Sequence, residues 1–221
     1  IRDSFNGDAS ALGTGLLGDV GRRAVAAVPP SRRALSAITF CVLARVRGFP
    51  LHYHNVFFAE DYPEEFRAIF QRGDIVDAPT VYVCAPDRAN GSAPVGEERL
   101  LLLINAPADG DRGARDSAAL DALRGRALAL LEACGCVLEF PPEHCTTTDP
   151  AAFATRFPGS GGALYGRATH GMNASFERPG ARSRVKGLYL AGGSVHPGAG
   201  VPMAAMSGRL AAGALLEDYA D

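Results

Sequence analysis

The chain has 221 residues, 47% of them hydrophobic, and its 22 basic and 24 acidic residues give a net charge of −2. This length and apolar content suffice for a buried core in one large domain, or in a smaller domain with parts of another. The balanced charge argues against nucleic-acid binding, and no apolar run approaches the roughly 18 residues of a membrane-spanning helix.

The cysteines and the N-terminus bear on the cellular compartment. The chain does not open with the basic, apolar and small-residue order of a signal peptide. Its five cysteines are odd in number and irregularly spaced, which is typical of reduced thiols in a cytosolic protein. We therefore expect a cytoplasmic location, and peripheral membrane contact stays open.

Residues 1–30 are rich in small side chains and predict a helix over 11–27, which ends before Pro29 and Pro30. From Ser36 to Arg47 apolar residues alternate with others, the period of a β-strand. Asp61 is the expected cap of a later helix. The remaining predicted elements are strands over 55–59, 80–85, 99–105 and 137–140 and helices over 63–72 and 116–134. These elements predict an α+β fold with a mixed or antiparallel sheet and helices on one face.

The segment from Gly187 to Ala212 has the order strand, glycine-rich turn, helix. Leu188–Ala191 is an apolar run of strand length, and a helix is predicted from about Val201, with Pro202 in its first turn. A helix start attracts an anion such as a phosphate or a reduced flavin ring. The alternative is an ordinary strand-to-helix turn, which requires fewer glycines. Glycines let backbone approach a ligand, and the turn contains Gly192, Gly193, Gly198 and Gly200.

A second glycine pattern, Gly13–Gly18, spells the G-x-G-x-x-G of a dinucleotide-binding turn. That chemistry requires a buried strand just before the glycines and an acidic residue about twenty positions later. Residues 6–11 are polar and small, and residues 32–38 include arginines but no carboxylate. We therefore predict a helical surface segment at this position.

Other candidate sites are weaker. His52 and His54 are expected to be single surface or cavity-facing histidines, not a pair of metal ligands. Ser194 and His196 stand close in sequence, but the nucleophile elbow of a hydrolase is absent. We expect no metal site, because no common zinc spacing is matched by Cys134, Cys136, His144 and Cys145.

The segment 187–212 closely resembles the C-terminal motif of bacterial phytoene-desaturase-type carotenoid desaturases. Within them it is most similar to the hydroxyneurosporene and methoxyneurosporene desaturases, the 1-hydroxycarotenoid 3,4-desaturase group. Members of this family are longer and open with a strand, glycine loop and helix that hold the adenosine half of FAD. The chain therefore resembles the C-terminal part of a desaturase. The resemblance also covers residues 6–12, 54–58, 80–84, 105–109 and 161–166.

The resemblance implies an FAD-dependent enzyme that introduces a C=C bond into an acyclic carotenoid by hydride transfer to flavin. It implies a remnant of the FAD-binding domain over 1–35, a substrate-binding domain over 36–157 and a C-terminal FAD-binding segment over 158–221. These flanking segments complete an α/β domain of the two-dinucleotide-binding flavoprotein type. The implied partners are the carotenoid and a missing N-terminal FAD-binding half, without which the isolated chain is expected to be inactive.

The resemblance also implies the residues of the site. His196 comes beside the flavin ring, where a structural and a chemical role remain equally open. A long apolar substrate requires an apolar tunnel, for which tunnel lining and core packing are both open for Phe57, Phe58, Phe66, Tyr82, Tyr165 and Phe176. The implied cofactor contacts are Gly192, Gly193, Gly198, Gly200, Val201, Pro202 and Met203.

Two alternative functions remain open. The first is another flavoprotein of the same superfamily, such as a carotenoid isomerase or an amine oxidase. An amine oxidase usually has an acidic residue where Gly193 stands. The second is a non-catalytic module that binds a lipid or a protein partner.

Overall fold

The computed structural model describes residues 18–168 and 177–220, which divide into two compact units. The sheet unit comprises residues 37–107 and 114–149. The loop unit contains the other described residues, including the glycine-rich turn.

A six-stranded sheet forms the sheet unit, with the strand order β2-β3-β4-β1-β5 and β6 pairing with β1. The β2–β3, β3–β4, β1–β5 and β1–β6 pairs are antiparallel, which confirms an α+β arrangement with an antiparallel sheet. The strands are β1 (Ser36–Arg47), β2 (His54–Phe57), β3 (Val81–Cys84), β4 (Glu98–Ala106), β5 (Val137–Glu139) and β6 (Cys145–Thr148).

One face of this sheet packs against the longest helix of the unit, α3 (Ser117–Ala133). Side chains alternate across a strand, so every second residue of β1 and β4 points to this helix. The α3 residues in the core are Leu123, Ala127 and Leu131, at helical spacing. The matching strand residues are buried and include Ile38, Phe40, Val42, Ala44, Val81, Val83, Leu100, Leu102 and Ile104.

Carboxylates cap two helices of the sheet unit, and the Asp61 cap is the one that the sequence predicts. The Asp61 carboxylate accepts from the Glu64 backbone N–H at 3.1 Å and starts α2 (Tyr62–Arg67). α2 continues as a π-helical turn to Arg72. Asp116 accepts from the Ala119 N–H at 3.2 Å and starts α3. The helices predicted over 63–72 and 116–134 are therefore confirmed. Each begins at an aspartate because the carboxylate satisfies an otherwise unpaired backbone N–H.

Two buried carboxylates fasten the sheet unit. Glu98 on β4 forms an ion pair with Arg88 at 2.6 Å, and both side chains are almost fully buried. Glu65 on α2 accepts from the Thr80 N–H at 2.9 Å and from the Asn105 amide at 2.8 Å. Buried charge is tolerated when it is paired in this way. Both therefore serve the fold.

The loop unit contains three helices: α1 (Gly18–Ala24), α4 (Pro150–Arg156) and α5 (Val201–Asp218). The buried Arg33 guanidinium connects distant segments of this unit, donating to the Ala108 carbonyl at 3.1 Å and pairing with Asp111 at 2.9 Å. Within residues 18–168 and 177–220, no helix combines the length and the apolar content that crossing a membrane requires.

The sequence predictions were incomplete at several elements. The predicted helix over 11–27 ends at Ala24 in its described portion, and the G-x-G-x-x-G residues before Gly18 lie outside the described residues. β6 and α4 were not predicted. β6 consists largely of threonines with no apolar alternation, and it becomes a strand through its antiparallel register with residues 39–42 of β1.

Candidate functional site

The segment before the glycine turn is not a strand. Tyr189 makes one isolated bridge with Arg182, flanked by a hydrogen bond of 2.7 Å from the Leu190 N–H to the Ala181 carbonyl. The predicted strand over 188–191 is therefore wrong. Its apolar run has the length of a strand, but a strand requires a ladder of backbone hydrogen bonds to a neighbouring segment. Residues 181–183 run beside it for only about three residues.

The glycine turn uses backbone conformations that other residues rarely adopt. Gly192, Gly198 and Gly200 have φ values of 129°, 139° and 102°. Side chains with a Cβ are disfavoured there, which is why the turn requires glycine. Gly193 has no positive φ, and a Cβ on it would lie 3.8 Å from the Ala199 Cα, an ordinary contact.

Open space surrounds the last glycine of the turn. A Cβ built on Gly200 meets no atom within 4 Å, whereas one on Gly198 would lie 3.5 Å from the Arg178 Nε. Backbone at Gly200 is therefore accessible from outside, and its need for glycine comes from its φ and not from crowding. A ligand can approach the backbone closely at this point.

α5 begins directly after this glycine. Gly200 is the N-cap residue, Pro202 stands in the first turn as predicted, and the Ala204 N–H donates to the Gly200 carbonyl at 2.8 Å. No side chain caps the helix. Val201 is 84% exposed, so the helix start faces outward. An anion at such a helix start gains about 0.3–1 kcal/mol when exposed, and up to about 2 kcal/mol in a partly buried geometry.

Two hydrogen bonds hold the turn in place. The hydroxyl of Ser207, which is fully buried within α5, accepts from the Gly192 N–H at 3.2 Å. The His196 backbone N–H donates to the Pro179 carbonyl at 2.9 Å. The turn is thereby fixed both to the helix that follows it and to a segment that precedes it.

A buried arginine supports the turn from below. The Arg178 guanidinium donates to the carbonyls of Tyr165 at 2.9 Å, Gly193 at 3.1 Å and Arg167 at 3.3 Å. Sequence reasoning missed Arg178 and Ser207. An arginine before a proline carries no signal of burial, but a serine inside the small, apolar pattern of α5 is a polar residue that needs a partner and could have been noticed.

His196 is half-buried and lines a surface pocket of about 470 Å³. The same pocket is lined by the charged side chains of Arg182, Arg209 and Glu217. The Ser194 side chain faces Gly166, because a Cβ on Gly166 would lie 2.9 Å from the Ser194 Oγ. Ser194 is thus a packing neighbour of a positive-φ glycine.

The C-terminal end of α5 is fastened by charge. Arg182 donates to Asp218 at 2.9 Å, to Glu217 at 2.9 Å and to the Ala214 carbonyl at 3.2 Å. Tyr189 donates to Asp218 at 2.7 Å, and this bond to a carboxylate raises the pKa of Tyr189 to about 12. Arg182 lowers the pKa of the Asp218 carboxyl. A cation here also suits the negative end of the helix.

The remaining candidates lie elsewhere. His52 precedes β2 and His54 begins it, and both side chains are exposed. All five cysteines are free, and burial raises the pKa of the Cys136 thiol to about 11. Within the described residues, no three His, Cys, Asp or Glu side chains form a group able to hold a metal ion.

The predicted tunnel aromatics are dispersed. Phe57 is buried in the sheet core, so core packing and not tunnel lining applies to it. Phe58 and Tyr165 are exposed, Tyr82 is half-buried, and Phe66 is half-buried against Tyr62. Phe176 lies outside the described residues.

Comparison with known proteins shows which family and which proteins the chain is similar to. Residues 51–216 match the family described as flavin containing amine oxidoreductase. The chain is 56% identical over 213 residues to the hydroxyneurosporene desaturase of Rubrivivax gelatinosus, covering 96% of this chain and 41% of that protein. It is 44% identical to the hydroxyneurosporene desaturase of Cereibacter sphaeroides, with 98% and 43% covered.

More distant relatives have related names. The 1-hydroxycarotenoid 3,4-desaturase of a Flavobacterium species is 32% identical over 173 residues, which cover 75% of this chain and 34% of that protein. The chain thus spans about two fifths or less of the length of these relatives.

Proposed function

Since the chain belongs to the family of flavin containing amine oxidoreductases, we propose that it is the C-terminal part of an FAD-dependent carotenoid desaturase. The reaction forms a C=C bond in an acyclic carotenoid by removing a hydride and a proton from neighbouring carbons. The observation that best supports this proposal is the 56% identity, over 96% of the chain, to a hydroxyneurosporene desaturase.

The geometry of the glycine turn fits a flavin. The positive-φ glycines, the open space at Gly200 and the exposed start of α5 form a backbone surface that a flat, partly anionic ring can approach. When bound, FAD would accept the hydride, which carries both electrons of the oxidation. The proposed contacts are Gly192, Gly193, Gly198, Gly200, Val201, Pro202 and Met203, as predicted from the sequence.

The protein residues would supply position and electrostatics. Arg178 and Ser207 hold the turn in its conformation, so they act on the cofactor site through the backbone. The N–H groups at the start of α5 favour negative charge near them. We propose that His196 positions or polarises the flavin and that the proton leaves to water or to another base.

The rest of the enzyme would complete the site. We propose the same three parts as the sequence predicts: a remnant of the FAD-binding domain over 1–35, the substrate domain over 36–157 and an FAD-binding segment over 158–221. An N-terminal FAD-binding half would cover the apolar side chains that α5 exposes, because soluble proteins seldom leave such rows uncovered. These side chains are Val201, Met203, Met206, Leu210, Leu215 and Leu216.

The proposed location is the cytoplasm, in keeping with the free cysteines. We also propose peripheral contact with a membrane, because a long polyene is insoluble in water and is taken from a lipid phase.

A chimeric enzyme tests the function. This chain replaces the matching segment of the Rubrivivax gelatinosus relative, and the purified chimera is assayed for bound flavin and for desaturation of an acyclic carotenoid. We expect flavin occupancy close to that of the unmodified relative and a product with longer-wavelength absorption. A folded, flavin-loaded chimera that leaves every acyclic carotenoid unchanged would refute the proposal.

A further inference from the structure

The sheet has a second face, opposite α3, on which uncharged side chains form a continuous band. Residues between the buried core positions of a strand point to the other face. Val56 is 49% exposed and Leu43 36% exposed in this band. The outer band consists of Cys41 and Leu43 on β1, Leu101 and Leu103 on β4, Tyr82 and Cys84 on β3, and His54 and Val56 on β2.

The register makes the outer band continuous across β2, β3 and β4, and β1 is the next strand of the sheet. Leu103, Tyr82 and Val56 stand directly opposite one another on neighbouring strands, and so do Leu101, Cys84 and His54. Directly opposite side chains share a face and contact each other. Four neighbouring strands at about 4.8 Å spacing give the band a width of roughly 14 Å.

Two arginines and one buried carboxylate lie at the ends of the outer band, the carboxylate being Glu65, which accepts from Asn105 after Leu103 on β4. Arg45 follows Leu43 on this face of β1, and Arg99 precedes Leu101 on this face of β4. The Arg99 charge is neutralised by Asp87, whose pKa it lowers to about 2. The leucine, valine and cysteine side chains of the band offer no opposite charge, so they favour a neutral apolar chain over a charged ligand.

One hydrogen-bonded pair interrupts the apolar character. The His54 Nδ1 and the Tyr82 hydroxyl are 2.6 Å apart, on adjacent strands at the β2 edge of the sheet. The Tyr53 ring contacts the imidazole edge-on at a centroid distance of 4.4 Å, which holds its orientation. The second imidazole nitrogen, Nε2, can donate or accept a hydrogen bond, depending on the tautomer.

We infer that the outer band binds the polyene chain of a carotenoid and that the His54–Tyr82 pair binds a hydroxyl group near one end of that chain. The inference rests on the proposed function. It agrees with the names of two relatives, a hydroxyneurosporene desaturase and a 1-hydroxycarotenoid 3,4-desaturase, which both specify a hydroxylated substrate. A site that hydrogen-bonds a hydroxyl disfavours the analogue without it, because its polar groups are then left unpaired.

The test compares two acyclic polyenes of equal conjugation, one with a terminal hydroxyl group and one without. Binding to the 221-residue chain in mild detergent is followed by the induced circular dichroism of the polyene absorption band. We expect the wild-type chain to bind the alcohol about five- to tenfold more tightly. His54→Leu and Tyr82→Phe reduce this ratio to near one, because each removes a polar group that the hydroxyl would bond.

Two further variants separate recognition from damage to the fold. His54→Gln keeps a hydrogen-bonding group and should retain part of the preference. Tyr62→Phe, which removes a tyrosine hydroxyl from an exposed residue of α2, should retain all of it. Leu103→Asn should weaken the binding of both polyenes equally, because it interrupts the apolar band and leaves the His54–Tyr82 pair intact.

Each failure has a different meaning. Equal binding of the two polyenes, or an unchanged ratio in both His54→Leu and Tyr82→Phe, overturns hydroxyl recognition and leaves the desaturase proposal standing. If neither polyene binds, the outer band is not a polyene-binding surface. The proposed function itself fails only if the chimeric enzyme, assayed separately, does not desaturate carotenoids.

Discussion

At the scale of single residues, Gly200 has a backbone conformation that disfavours other residues, and it has open space where a side chain would lie. Its φ of 102° and ψ of 147° lie in a region that is almost restricted to glycine, yet a Cβ on it meets no neighbouring atom. Any loss of stability on substitution therefore reports the backbone conformation alone. This makes Gly200 a clean probe of the turn.

We predict that Gly200→Ala lowers the free energy of unfolding of the loop unit by about 1–3 kcal/mol, the cost of forcing a Cβ into this conformation. Gly208→Ala is the matched control, because Gly208 lies inside α5 with open space at its Cβ. It should stabilise the helix by about 0.5–1 kcal/mol. Urea unfolding followed by circular dichroism measures both, and equal effects of the two variants would contradict the turn conformation.

His196 carries the second prediction at this scale. In the flavin-loaded chimera, His196→Asn should slow flavin reduction by about tenfold, the loss of one supporting hydrogen bond. Removal of an obligatory base costs about 10² to 10⁴-fold. Stopped-flow absorbance of the flavin distinguishes these outcomes, and a decrease beyond a thousandfold would make His196 the base.

At the scale of elements, the glycine turn and α5 form one assembly through Ser207. The Ser207 hydroxyl is buried and accepts from Gly192. We predict that Ser207→Ala raises the amide hydrogen-exchange rate at Gly192 by about fivefold, because a net hydrogen bond contributes about 1 kcal/mol. Ser183→Ala removes a hydroxyl that bonds Val185 instead and should leave that rate unchanged. Unchanged exchange at Gly192 in Ser207→Ala would show that the bond does not hold the turn.

Periodic elements could be predicted from the sequence, and elements that depend on a partner could not. β1 has the predicted bounds because its apolar and other residues alternate between a buried and an exposed face of the sheet. α3 begins directly after its cap, Asp116. β6 is a strand because it pairs with β1, whereas residues 188–191 have no long partner segment and form only an isolated bridge. Composition does not reveal such pairing. Within the site, the glycines were visible in the sequence, whereas Arg178 acts through a buried contact with the Gly193 carbonyl.

At the scale of the whole molecule, the chain spans only about two fifths of the length of the two hydroxyneurosporene desaturases that it matches. We predict that the 221-residue chain purifies without bound flavin, because the proposed function divides the contacts to FAD between this chain and an N-terminal half. Each 1.4 kcal/mol of missing contacts weakens binding by a factor of ten. Flavin is measured by absorbance after denaturation, and a stoichiometric amount in the isolated chain would contradict this division of the site.

The most direct test of the central claim is a single anaerobic turnover of the chimeric enzyme. Oxidised, flavin-loaded chimera is mixed with a hydroxylated acyclic carotenoid, and flavin and polyene absorbance are recorded together. We predict that the flavin is bleached while one equivalent of a carotenoid with longer-wavelength absorption forms. A flavin that stays oxidised in a chimera whose parent enzyme is reduced under the same conditions would contradict it.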